Sequence, residues 1–279
     1  MTANGLDDFF AGFNQPVTAP LYPDPPYYYR GAKVVLGIYQ AEAEKVARHL
    51  PPGVTPATDP ATCIAWVCNY PFTTFGTYNE AILIIQAEFE GETYLYCPFI
   101  YLDTDAPMAA GRELWGWPKK LADCGFRHGG PNPGDGEGFL FTVDRPTDKR
   151  LLSVTMTPER PATMEDVGAT PHLTLRYVPG AEEGSPPSVC QLIRTEPETV
   201  PCLSADGSPD IWSGRCEVTM DSRSATDPIA DLAPTAMVGG IYGTFDWTLP
   251  QGRVVHDYLA EAGIGARNGT TAAAAAVGG

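Results

Sequence analysis

Residues 81–103 read AILIIQAEFEGETYLYCPFIYLD. Two long apolar and aromatic runs flank Glu90-Gly91-Glu92, the pattern of two strands joined as a hairpin. Strand signals recur on both sides of it: AKVVLGIY (32–39), TCIAWVCNY (62–70), FLFTVD (139–144), RLLSVTMT (150–157), HLTLRYV (172–178), VCQLIRT (189–195), RCEVTM (215–220) and GGIYGTFDWTL (239–249). Gly/Pro loops such as GGPNPGDGEG (129–138) separate them. Helical patterning is confined to two stretches. In QAEAEKVARHL (40–50), Ala43, Val46, Ala47 and Leu50 share one side and Pro51-Pro52 stops the helix. In TDAPMAAGREL (104–114), Thr104 or Asp105 caps and Pro107 fits the first turn. Regular strands with few helices predict a curved or closed β architecture with helices outside.

The Pro- and aromatic-rich residues 1–29 read as an N-terminal arm, 30–262 as a single domain, and the low-complexity tail 263–279 as disordered. No internal repeat is visible.

Composition narrows the partners. Hydrophobic residues make up 43% and the formal net charge is −16. This balance fits a globular protein and argues against nucleic acid or an anionic membrane surface as partner. It also means that an anionic substrate needs cations of the site's own. No stretch pairs a basic segment with an apolar run as in a secretory signal, and no apolar run approaches the ~18 residues of a membrane span. The seven cysteines (63, 68, 97, 124, 190, 202 and 216) lack tight spacing and lie mostly in strand-like runs. Reduced thiols in a cytoplasmic protein are expected. The four histidines are scattered, so no metal site is expected.

Chemistry concentrates in WGWPKKL (115–121), where two of the chain's five lysines stand beside two of its five tryptophans. Pro118 pushes Trp117 towards extended geometry. If 119–124 is a strand, Lys119 and Lys120 face opposite ways. Parity alone does not say which faces in; reading outward from the tryptophans, Lys119 is expected inward. A nucleophilic amine must be neutral. A second ammonium ~6–7 Å away at an effective dielectric of ~20 supplies only about 2.5 kcal/mol towards that state, whereas burial in an apolar pocket can supply about 4–7 kcal/mol. Trp115 and Trp117 are the natural source of such dryness. The alternative is a surface strand whose lysine stems cover aromatic area.

GRELWGWPKKLA (111–122), preceded by YLDTDAPMAA (101–110), resembles the signature of the acetoacetate decarboxylase family. The segments GTYNEAILIIQAEFEG (76–91), PPYYYRGAKVVLGIYQAEAEKVARHLPPGV (25–54) and DPIADLAPTAMVGGIYGTFDWTLPQGRVVHDYL (227–259) are similar to further family segments in the same order. The resemblance implies a β-rich α+β, acetoacetate decarboxylase-like fold, a conical, barrel-like antiparallel sheet with a few outer helices, and homo-oligomers. It implies that Lys119 is the Schiff-base lysine, Lys120 the neighbour credited with activating it, Glu80 the active-site glutamate and Arg30 the substrate-site arginine, with Trp115 and Trp117 beside the pocket. A family enzyme of this kind needs no cofactor; its partner is a small keto acid. The family's second glutamate, on the strand corresponding to 62–70, has no counterpart in TCIAWVCNY. The implied activity is decarboxylation of a β-keto acid through a lysine imine. Aldol–dehydration or enolisation chemistry on the same imine, or non-catalytic binding of a small molecule, are the alternatives. The two tryptophans read either as core packing or as the mark of a larger or more apolar substrate than acetoacetate.

Overall fold

The computed structural model describes residues 13–129, 138–220 and 224–264. Residues 130–137 of the expected loop, most of the expected tail and the first twelve residues of the expected arm lie outside the described residues.

Among the described residues sixteen strands form one sheet. In chain order they are β1 Tyr27–Ala41, β2 Thr55–Pro56, β3 Ala61–Tyr70, β4 Phe72–Thr73, β5 Tyr78–Phe89, β6 Glu92–Leu102, β7 Lys119–Leu121 and β8 Asp123–His128. Then follow β9 Phe139–Asp144, β10 Arg150–Pro161, β11 His172–Val178, β12 Val189–Thr195, β13 Glu198–Pro201, β14 Ile211–Thr219, β15 Ala236–Leu249 and β16 Arg253–Asp257. The main path runs β16-β12-β11-β6-β5-β3-β1-β15-β14-β10-β9-β8, open at both ends. Among the described residues four short α-helices accompany it: α1 Ala43–Ala47, α2 Asp105–Ala110, α3 Met164–Val167 and α4 Tyr258–Glu261. Among the described residues no helix is long and apolar enough to cross a membrane.

The hairpin forms as read, with Glu90 (φ 50°) and Gly91 (φ 81°) both left-handed at its tip, the two-residue turn that matches strand twist. Three expectations are corrected. β1 starts at Tyr27, inside the stretch read as an arm, because Tyr27 and Tyr29 pair with Leu249 and Trp247. The first helix is shorter than 40–50, because Gln40 and Ala41 still pair with Thr62 and Ala61. The sheet is mixed rather than purely antiparallel: β7 and β11 both run parallel to β6. The chain leaves β6 through α2 before returning as β7, the long crossover that parallel pairing needs.

The central strands are buried on both faces. Ala81, Leu83, Ile85 and Ala87 of β5 join Cys63, Ala65 and Val67 of β3 in one apolar core. The alternate residues Ile82 and Ile84, with Cys68 and Tyr70, join Trp115 and Trp117 in a second. This second face lines a cavity of about 450 Å³.

Candidate functional site

The route into the site is set by local backbone chemistry. After α2 the chain takes a wide π-turn, Gly111–Trp115, ended by Gly116 in a left-handed conformation (φ 77°). A Cβ on Gly116 would sit 2.3 Å from Cα of Arg176, so only glycine lets the turn press against β11. The Trp117 amide donates to the Gly111 carbonyl at 3.0 Å, and Thr174 Oγ1 donates to the Trp115 carbonyl. Pro118 follows, and β7 begins.

In β7, Lys119 pairs with Ile100 and Lys120 with Tyr101. Ile100 belongs to the cavity-side core and Tyr101 to the opposite one. The two lysines therefore diverge. Lys119 lines the cavity and is 7% exposed. Its Nζ lies 2.6 Å from Oε1 of Glu80, which is 4% exposed. Glu80 sits on β5 between Cys68 and Leu102, on the face of Ile82 and Ile84. Its Oε2 accepts a hydrogen bond from the Tyr70 hydroxyl at 3.1 Å. Burial holds the Tyr70 hydroxyl well above the usual tyrosine range, so it stays a neutral donor. Taking both charges out of water costs several kcal/mol per ion. The close contact and the Tyr70 bond offset that cost.

Lys120 reaches the other face. Its Nζ is 2.9 Å from Oδ1 of Asp227 and also donates to the Thr226 carbonyl. Asp227 is 3% exposed on its side chain and binds Arg145 Nε at 3.3 Å as well. Burial raises its carboxyl, but the Lys120 bond and charge, together with hydrogen bonds from the Tyr101 and Thr226 hydroxyls, outweigh that and hold it below the usual range. Arg30 is also outside the cavity. Tyr29 takes the inward position on β1, and a register shift at 29–32 follows it. Arg30 Nη1 donates instead to the carbonyls of Tyr29 (2.7 Å) and Trp247 (3.1 Å), and Nε lies 3.8 Å from Asp246. The expected grouping of Lys119, Glu80 and Arg30 is thus reduced to the first two, and Lys119 is the one Lys or Arg lining the cavity among the described residues.

Trp117 lines the cavity; Trp115 does so while burying its ring against Tyr27 and donating Nε1 to the Pro250 carbonyl at 3.1 Å. Residues not singled out in the sequence complete the site: Tyr70, Tyr29, Trp66, Trp247 and His172. Tyr70 was within reach, since strand alternation in 62–70 puts it on the Trp66 side. His172 was not, because the parallel pairing that delivers it to β6 is non-local. Burial lowers the His172 imidazole to about 4, so the ring is neutral near pH 7. Positions of β3 on this face carry Thr62, Ile64, Trp66, Cys68 and Tyr70, with no acid. No group of three or more metal-ligating side chains occurs among the described residues.

A strand-rich open sheet that buries a single lysine–glutamate pair in an aromatic cavity defines an enzyme of the acetoacetate decarboxylase-like fold class. The family model for acetoacetate decarboxylase (ADC) matches residues 14–259. The chain belongs to the acetoacetate decarboxylase family, whose named members are carbon–carbon lyases. Acetoacetate decarboxylase 1 of Mesorhizobium japonicum is 29% identical over 253 residues, covering 90% of this chain and 96% of that one. The crystal structure of acetoacetate decarboxylase from Legionella pneumophila superposes with a TM-score of 0.75 at 26% identity, covering 89% of this chain and 95% of that chain. The enduracididine biosynthesis enzyme MppR, solved with the condensation product of pyruvate and imidazole 4-carboxaldehyde, shares the fold at 22% identity and a TM-score of 0.72, covering 88% of this chain and 97% of that one.

Proposed function

We propose that the protein is a cofactor-independent, cytoplasmic lyase that decarboxylates a β-keto acid through an imine on Lys119. The observation that carries this reading is the 2.6 Å contact between Lys119 and Glu80, both buried in an aromatic cavity. Glu80 takes a proton from the Lys119 ammonium, and the neutral amine attacks the ketone carbon. The nitrogen passes one proton to the carbinolamine oxygen and Glu80 returns the other, so water leaves and a cationic imine forms. The bond between the α-carbon and the carboxylate then breaks. Its electron pair moves onto the imine nitrogen through the enamine, and CO2 departs. Protonation of the enamine carbon and hydrolysis release the ketone and regenerate the amine. Tyr70 holds Glu80 in position through both proton transfers. Among the described residues the cavity offers the leaving carboxylate no guanidinium, so little binding energy stabilises the ground state against loss of charge.

The same feature favours a second reading. Without a cation dedicated to a carboxylate, the imine serves equally well for aldol condensation, dehydration or enolisation. Borohydride trapping with candidate keto acids, followed by peptide mass mapping and CO2 measurement, separates the two. An adduct on Lys119 with CO2 release supports decarboxylation, and an adduct without CO2 supports the second reading. If no ketone gives an adduct and Lys119→Met leaves every measured activity unchanged, both fall.

A further inference from the structure

Most of the cavity is unaccounted for by the reaction. Its volume of about 450 Å³ lies within the range of pockets that hold drug-sized ligands, about 300–1,000 Å³. A four-carbon keto acid on Lys119 would leave much of it unfilled, so the non-reacting part of the true substrate should fill the remainder.

The lining describes that part. Three residues from separate elements converge: Trp66 of β3, Trp117 ahead of β7 and His172 at the start of β11. The His172 ring lies 5.6 Å from the Trp66 ring and 5.3 Å, edge to face, from the Trp117 ring. It is 7% exposed, and its Nδ1 is buried without a hydrogen-bond partner among the described residues. Around these lie Ile64, Ile82 and Leu95. Flat aromatic faces and branched aliphatic chains recognise apolar or aryl groups. The charges argue in the same direction. Lys119, the one lining cation, is consumed by the imine. The other charged lining residues besides Glu80 are acids: Glu165, Asp166 and Glu196, all exposed. Beyond the imine itself, an anionic substituent would meet no cation inside and like charge at the exposed acids.

We propose that the Trp66–His172–Trp117 cluster is the seat for a bulky, uncharged aryl or alkyl substituent on the carbonyl substrate, so that the enzyme acts on long-chain or aryl keto compounds rather than on small or doubly anionic ones. This rests on the reading of Lys119 as the imine-forming lysine, but the seat itself can be tested apart from it.

The experiment uses the full chain and matched probes. Borohydride trapping on Lys119 is titrated with acetone, with 4-phenyl-2-butanone and with levulinate, which carries a carboxylate on a chain of similar reach. The aryl ketone is expected to reach half-maximal trapping at a concentration at least tenfold below acetone, with levulinate no better than acetone. Calorimetry with 4-phenyl-2-butanol, which cannot form an imine, measures the seat alone and should detect binding. Trp66→Ala should narrow the ratio between the aryl ketone and acetone. Equal trapping of acetone and the aryl ketone, or preference for levulinate, overturns the proposal while leaving the imine chemistry standing. Binding of the alcohol with no trapping of any ketone upholds the seat and instead overturns the role given to Lys119. Failure of both the alcohol and the aryl ketone to bind overturns the seat.

Discussion

Lys119 and Lys120 are consecutive in the chain, yet their amines serve opposite faces of the sheet, one 2.6 Å from Glu80 and the other 2.9 Å from Asp227. Adjacent charges in a sequence need not be adjacent in space, and within a strand alternation separates them. Lys120 is therefore assigned to structure in this chain: it ties β7 to the buried carboxylate of Asp227.

Replacing Lys120 tests that division. Lys120→Met should destabilise the protein by about 1–3 kcal/mol in chemical denaturation, the range for a hydrogen bond to a charged group with one partner partly exposed. Imine trapping at Lys119 should persist at comparable keto-acid concentrations. Asp227 has its carboxyl held down in the folded state, so its contribution is present above pH ~4 and lost as pH falls further. Much of that acid sensitivity should disappear in the variant. Loss of trapping in a folded Lys120→Met protein would return Lys120 to the reacting centre.

Tyr70→Phe removes one oxygen from the site and keeps the ring. The stability cost should be about 1 kcal/mol, that of one hydrogen bond. Turnover should fall by roughly 10- to 100-fold, because Glu80 loses the partner that aims it. The reading fails if turnover is unchanged while the denaturation midpoint drops sharply.

Two glycines near the lysine should respond in opposite ways. An alanine Cβ at Gly111 would sit 2.7 Å from Cδ and Cε of Lys119, the movable part of a flexible side chain. Gly111→Ala should fold with little loss of stability but carry Lys119 Nζ away from Glu80, which imine trapping reads directly. At Gly116 the obstruction is Arg176 backbone and φ is 77°. Gly116→Ala should therefore cost at least about 2 kcal/mol in stability. A comparable loss of stability in both would show that Lys119 cannot yield.

His172 makes stability depend on pH. Burial lowers it to about 4 in the folded protein against about 6.5 unfolded. Between these values the unfolded chain binds more protons, so stability rises with pH and is lost as pH falls through this window. Moving from pH 7 to pH 5 should cost the native protein about 2 kcal/mol more than it costs His172→Asn. Parallel denaturation curves for the two proteins at both pH values would refute this.

Much of this site was legible in residues 81–103 and 115–121. The hairpin turn at Glu90-Gly91, the divergence of the lysines and the burial beside Trp117 follow from local rules of strand alternation and turn geometry. Arg30 was not legible, because the register shift after Tyr29 reverses which residue of β1 points inward. The parallel return of β7 and β11 onto β6 was not legible either, because it depends on a crossover and on contacts far apart in sequence. His172 reaches the cavity through that same pairing, and no feature around 172 announces it.

The alternation that fills one face of β3 and β5 and hollows the other also divides how the gene can change. Codons for Ala65, Val67, Leu83 and Ile85 encode the filled face, and those for Ile64, Trp66, Ile82 and Gln86 encode the hollow one. Selection for a new substrate can act on every second position of a strand while its neighbours keep the protein folded.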